Sequence, residues 1–138
     1  MPKFISATVR QRVLDIAASH HFVAQVKGTG EDNYVKNLMF YSKPLNQTVY
    51  IRKDRAVGAG GVPAYFQVVV HPDFFNKNWL SAGVQELINK QKKTNLHASS
   101  NYQKFPVFPD NVSPCGMSFK VADYDALAEL FQRMAAPK

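Results

Sequence analysis

The stretch Gln47–Pro72, QTVYIRKDRAVGAGGVPAYFQVVVHP, decides how the rest of the chain is read. Val49 and Ile51 alternate with Tyr50 and Arg52, the period-2 pattern of a strand with one buried and one wet face. Tyr65–Val70 is denser in aromatic and β-branched residues and reads as a more buried strand. Between them, the run Gly58–Gly61 gives the chain a place to reverse at little steric cost. Pro63 stands at a strand start, where no ladder N–H is needed. Together these segments predict the central hairpin of an antiparallel sheet.

Working outward, Phe22–Lys27 reads as a first strand, residues 28–33 as a turn, and Tyr34–Tyr41 as a second strand closed by Pro44 and Asn46. Four strands in succession with short connections predict a meander rather than a parallel βαβ arrangement. Ahead of them, Val9, Val13 and Ile16 recur at helical spacing, which predicts an amphipathic helix over Ser6–His20 with Ser6 or Thr8 as its cap. Beyond the hairpin, Leu80, Val84, Leu87, Ile88 and Gln91 predict a middle helix from Asn78 or Trp79 to Lys93. Residues 94–114 form the longest irregular stretch, in which Phe105, Val107 and Phe108 offer an edge strand. Met117, Phe119 and Val121 mark a last strand. Asp123 then caps a terminal helix with an apolar stripe of Tyr124, Leu127, Leu130, Phe131 and Met134. The expectation is one α+β domain over residues 1–138: an antiparallel sheet of four or five strands packed with N-terminal, middle and C-terminal helices.

With 138 residues, 46% of them hydrophobic, the chain carries enough apolar material for a core and does not read as disordered. Cys115 is the sole cysteine, so no internal disulfide forms, which fits a reducing compartment. No apolar run approaches the roughly 18 residues a membrane span requires, and arginines interrupt the first residues where a secretory signal is apolar. The expected setting is cytoplasmic, away from membranes. Lys and Arg number 17 against 10 Asp and Glu, a net charge of +7. Such a balance favours an acidic partner, although it also serves solubility.

The leading functional expectation is therefore DNA or RNA binding by a non-enzymatic module. If Tyr50 and Arg52 share an exposed strand face, a base-stacking ring lies about 7 Å from a phosphate-binding cation. Lys53 and Arg55 extend that surface into the connection, Lys36 adds to it from the neighbouring strand, and Lys90, Lys92 and Lys93 form a second basic tract. A helix-dipole role explains the last three equally well. An alternative is a protein-interaction or regulatory module, including a homodimer, built on Phe74, Phe75 and Trp79. A third is a small-molecule site between the sheet and residues 94–114. Catalysis is not expected. Cys115 with His71 or His97 and Asp110 supplies the residue types of a thiol nucleophile, its base and an orienting carboxylate, but no motif of a cysteine hydrolase surrounds it. Gly58–Gly61 lacks the Lys-Ser/Thr of a phosphate loop, and no metal-ligand spacing or cofactor motif is present.

The run Val49-Tyr50-Ile51-Arg52-Lys53 leading through Gly61 to Val68-Val69-Val70-His71-Pro72, then Asn101-Tyr102-Gln103-Lys104-Phe105-Pro106, and finally Cys115-Gly116-Met117-Ser118-Phe119 before a closing helix, resembles the YgaC-like family of small uncharacterised bacterial cytoplasmic proteins. The resemblance runs from about Val9 to Phe131 and implies an α+β domain without implying a chemistry. Here the segment between Pro72 and Asn101 is longer than in that family.

Overall fold

The structure, a computed structural model, describes residues 4–24, 37–54, 56–88, 96–98, 105 and 115–135. Two helices, α1 (Ala7–Ala18) and α2 (Tyr124–Ala135), accompany seven strands: β1 (Val23–Ala24), β2 (Asn37–Ser42), β3 (Gln47–Arg52), β4 (Phe66–Val70), β5 (Val84–Glu86), β6 (Leu96–Ala98) and β7 (Cys115–Val121). All recorded pairings are antiparallel, in the order β1-β2-β3-β4-β7-β5. The expected meander is present as β1 to β4. Met117 pairs with both Val70 and Leu96, so β6 lies along the same outer edge of β7 that β5 occupies.

Each helix is bounded as its sequence dictates. Ser6 Oγ accepts from the Val9 N–H at 3.2 Å, and Asp123 Oδ1 accepts from the Ala126 N–H at 2.9 Å, so both N-termini carry a side-chain cap. α1 closes with the Phe22 N–H on the Ala17 carbonyl at 3.0 Å and the His21 N–H on the Ala18 carbonyl at 3.1 Å. This double closure places His21 in the left-handed region, with φ 67°. Val9, Val13 and Ala17 of α1, with Leu127, Leu130, Phe131 and Met134 of α2, cover one side of the sheet. There they meet Leu38, Phe40, Val49, Ile51, Val68, Val70, Phe119 and Val121. The Phe131 ring sits 5.1 Å from that of Phe22 and 6.1 Å from that of Phe40.

The glycine-bearing connection is more than a reversal. The Ile5 N–H bonds the Lys53 carbonyl at 2.9 Å and the Ser6 N–H bonds the Gly61 carbonyl at 3.0 Å, so this loop holds the entrance of α1. Gly61 has φ +75°, and a Cβ there would lie 2.6 Å from the Ser6 nitrogen. Only glycine meets both conditions.

Two expectations are corrected. Among the described residues the sheet has seven strands rather than four or five, and the middle helix over Asn78–Lys93 is absent from the described residues of that stretch. Lys77–Trp79 forms a single 3₁₀ turn, and Val84–Glu86 pairs with β7. The Arg133 guanidinium donates to the carbonyls of Asn78, Trp79 and Leu80 at 3.5, 3.2 and 3.4 Å. A helix starting at Asn78 needs those same carbonyls for its own first turn. Leu80, Val84, Leu87 and Ile88 thus share helical spacing without sharing a helix. Among the described residues, no helix is long and apolar enough to cross a membrane.

Candidate functional site

The site lies on the side of the sheet that the helices leave uncovered. In β2, β3, β4 and β7 the residues alternating with the helix-side core build this face level by level. Asn37 stands opposite Arg52, and Gln67 opposite Lys120. The next level carries Met39 opposite Tyr50, and Val69 opposite Ser118. The third carries Tyr41 opposite Thr48, followed by His71 and Gly116, with His97 facing Gly116 across the ladder. A first polar level, a largely apolar second and a polar third follow one another about 7 Å apart.

Phe105 closes the apolar level. With Met39, Tyr50 and Val69 it forms a buried cluster separate from the main core. Its ring meets Tyr50 edge-on with centroids 5.0 Å apart, and His71 edge-on at 5.8 Å. The place for that ring exists because residue 116 has no side chain. A Cβ on Gly116 would come to 2.4 Å from Val69 Cγ1 and 2.7 Å from the Phe105 ring. Segments distant in the sequence and bearing His71, Phe105 and Gly116 therefore converge on one spot.

Beside this cluster opens a pocket of about 730 Å³, lined among the described residues by Met39, Tyr41, Asn46, Gln47, Thr48, His71, Asp73 and Phe105. Its rim is set by local chain geometry. The four-residue turn between β2 and β3 ends with Asn46 at φ 50°, a conformation asparagine tolerates well. The Asn46 Oδ1 there accepts from the Tyr41 hydroxyl at 2.8 Å. After β4, the Asp73 N–H donates to His71 Nδ1 at 3.0 Å, and the Asp73 carboxylate lies 4.0 Å from the same nitrogen. Because Nδ1 accepts, the proton of the neutral ring resides on Nε2, which is a donor.

The residues expected to bind nucleic acid are distributed differently from the expectation. Tyr50 is 1% exposed, its ring packed on Phe105, so it offers no stacking platform. Arg52 is also buried, and its guanidinium holds Asp54 through Nε at 3.0 Å and a terminal nitrogen at 3.2 Å. The exposed face assumed for this pair is corrected: from Val49 to Arg52 both sides of β3 are covered. Lys53 is half-buried beside the entrance of α1. Lys36, Arg55, Lys90, Lys92 and Lys93 lie outside the described residues. Phe74, Phe75 and Trp79 pack inward. Phe74 meets Trp79 at 4.9 Å, Phe75 stacks on Phe119 at 5.3 Å, and Trp79 is buried beside Phe119 at 6.1 Å. They fix the 3₁₀ turn to the sheet.

Cys115 is buried, and strand alternation puts it on the helix side, opposite His71 and Gly116, so these two do not form a thiol–imidazole pair. Asp110 and the His97 side chain lie outside the described residues. No group of three or more metal-ligating side chains occurs among the described residues. Asn37, nearly fully buried, has neither amide atom hydrogen-bonded among the described residues.

Of the pocket, the sequence reading contained His71 and Phe105 as isolated residues and a site near residues 94–114. It missed Met39, Tyr41, Asn46, Gln47, Thr48 and Asp73. The available signal was parity: Met39 and Tyr41 share one side of β2, opposite Tyr50 and Thr48 of β3. In comparisons with protein-family models, with curated proteins and with solved structures, no match is found.

Proposed function

We propose that this protein is a small-molecule binding module whose site is the pocket on the helix-free side of the sheet. One observation carries the reading: a concavity of about 730 Å³ combines an apolar floor, Met39 and Phe105, with a rim of convergent polar groups. Binding sites for small ligands have that make-up and that size. The +7 charge does not concentrate here, since no lysine or arginine is among the described lining residues.

Saturation-transfer NMR with a library of polar fragments tests this reading. The expected result is a set of binders whose signals disappear in a Thr48→Trp variant, in which the indole fills the pocket, while the variant retains the wild-type amide spectrum elsewhere. Fragments that bind equally well to wild type and Thr48→Trp, or an absence of binders, would contradict it.

A further inference from the structure

Building on that pocket reading, we infer that its ligand is a neutral carbohydrate. Charge narrows the class first. The Asp73 carboxylate is the only formal charge among the described lining residues, and its side chain is 94% exposed. An anion entering would give up its hydration with no described cation to receive it. A cation would have to approach a chain of net charge +7 and would find only a well-hydrated carboxylate. A neutral ligand faces neither penalty.

Hydrogen-bond polarity narrows it again. The Tyr41 hydroxyl spends its proton on Asn46 Oδ1, which turns the Tyr41 oxygen into an acceptor and the Asn46 amide nitrogen into a donor. The Asp73 N–H occupies His71 Nδ1, which makes Nε2–H the ring's donor, while the Asp73 carboxylate, on the Nδ1 side, adds acceptor oxygens. Thr48 and Gln47 carry both functions. The rim thus carries both donors and acceptors. A sugar hydroxyl both donates and accepts, so a ring of vicinal hydroxyls meets such a rim in many places, whereas a carboxylate or phosphate meets only its donors. The apolar C–H face of a pyranose matches the floor of Met39 and Phe105.

The test is a series of two-dimensional ¹H–¹⁵N NMR titrations of the full chain. The probes are glucose, galactose, mannose, ribose and N-acetylglucosamine, with glucose 6-phosphate and glucosamine as charged counterparts. At least one neutral sugar is expected to shift the amides of Thr48, His71 and Asp73 with a Kd of about 0.1–10 mM, typical of a ligand with few apolar atoms. Its charged counterpart should bind at least about fivefold more weakly, and the neutral sugar should keep its affinity between about 50 and 200 mM salt. Asp73→Ala and Thr48→Val should each weaken the neutral sugar by about tenfold with the remaining spectrum unchanged, the effect of losing one hydrogen-bonding group.

Tighter binding of glucose 6-phosphate or glucosamine overturns the inference. So does a sugar that shifts amides elsewhere on the surface. If none of the sugars shifts the pocket amides while the fragment library still gives Thr48→Trp-sensitive binders, the carbohydrate assignment fails and the pocket reading stands. If neither sugars nor fragments bind, both fail.

Discussion

Gly116 and Phe105 are two halves of one contact: the ring of Phe105 occupies the space a methyl group on residue 116 would claim, 2.7 Å from the nearest ring carbons. Gly116 lies inside β7, where extended backbone suits any residue, so its smallness rather than its torsional freedom matters. Gly116→Ala is expected to cost about 1–3 kcal/mol by overpacking. Chemical denaturation measures it, and Gly116→Ala/Phe105→Leu should recover part of the loss because the smaller side chain yields space. A double variant no more stable than the single one would place the strain on Val69 alone.

The connection between β3 and β4 offers an internal control. Gly60 and Gly61 have φ of +69° and +75°, yet a Cβ on Gly60 meets nothing within 4 Å, whereas one on Gly61 collides with Ser6. Gly60→Ala should cost only the backbone term, about 1 kcal/mol. Gly61→Ala should cost clearly more, about 3 kcal/mol, because the bond to the Ser6 N–H must also yield. Equal losses in urea unfolding would show that the loop does not hold α1.

Arg52→Glu is expected to destabilise the fold by about 3–5 kcal/mol, since it puts a buried carboxylate against the half-buried Asp54. The side chains of Arg52 and Asp54 are only 5% and 12% exposed. Any loss of nucleic-acid binding in this variant then reports unfolding, and circular dichroism alongside fluorescence anisotropy separates the two. A variant with wild-type stability would mean that the pair contributes nothing.

His21 closes α1 in a left-handed conformation on the exposed surface, where a Cβ is a liability. His21→Gly should therefore raise stability by about 0.5–1 kcal/mol, which corresponds to a thermal midpoint about 1–4 °C higher. Differential scanning calorimetry decides it.

Where sequence reasoning succeeded, the deciding contacts are local. Ser6 and Asp123 cap helices whose stripes repeat within a dozen residues, and Tyr41 leads into a turn that Asn46 completes. It failed where a partner arrives from far along the chain. Tyr50 and Arg52 have polar tips and alternate with Val49 and Ile51, a pattern that usually marks a wet face; Phe105 and Asp54 make it a dry one. Leu80 to Ile88 look helical until Arg133 takes the carbonyls and Val121 pairs with Val84. The pocket inherits the same difficulty, because its floor joins Met39 to a phenylalanine from another segment.

The packing of Phe22 on Phe131 also sets an order of events during synthesis. The first helix packs on early strands but also on a helix made about a hundred residues later, and the β4–β7 ladder likewise waits for the second half of the chain. At about 5–20 residues per second, the cover that α2 gives Val9, Val13 and Ala17 arrives about 5–20 seconds after these residues leave the ribosome. A nascent chain halted before residue 124 thus holds α1 on the first strands with its α2-facing side bare, the kind of surface a chaperone retains.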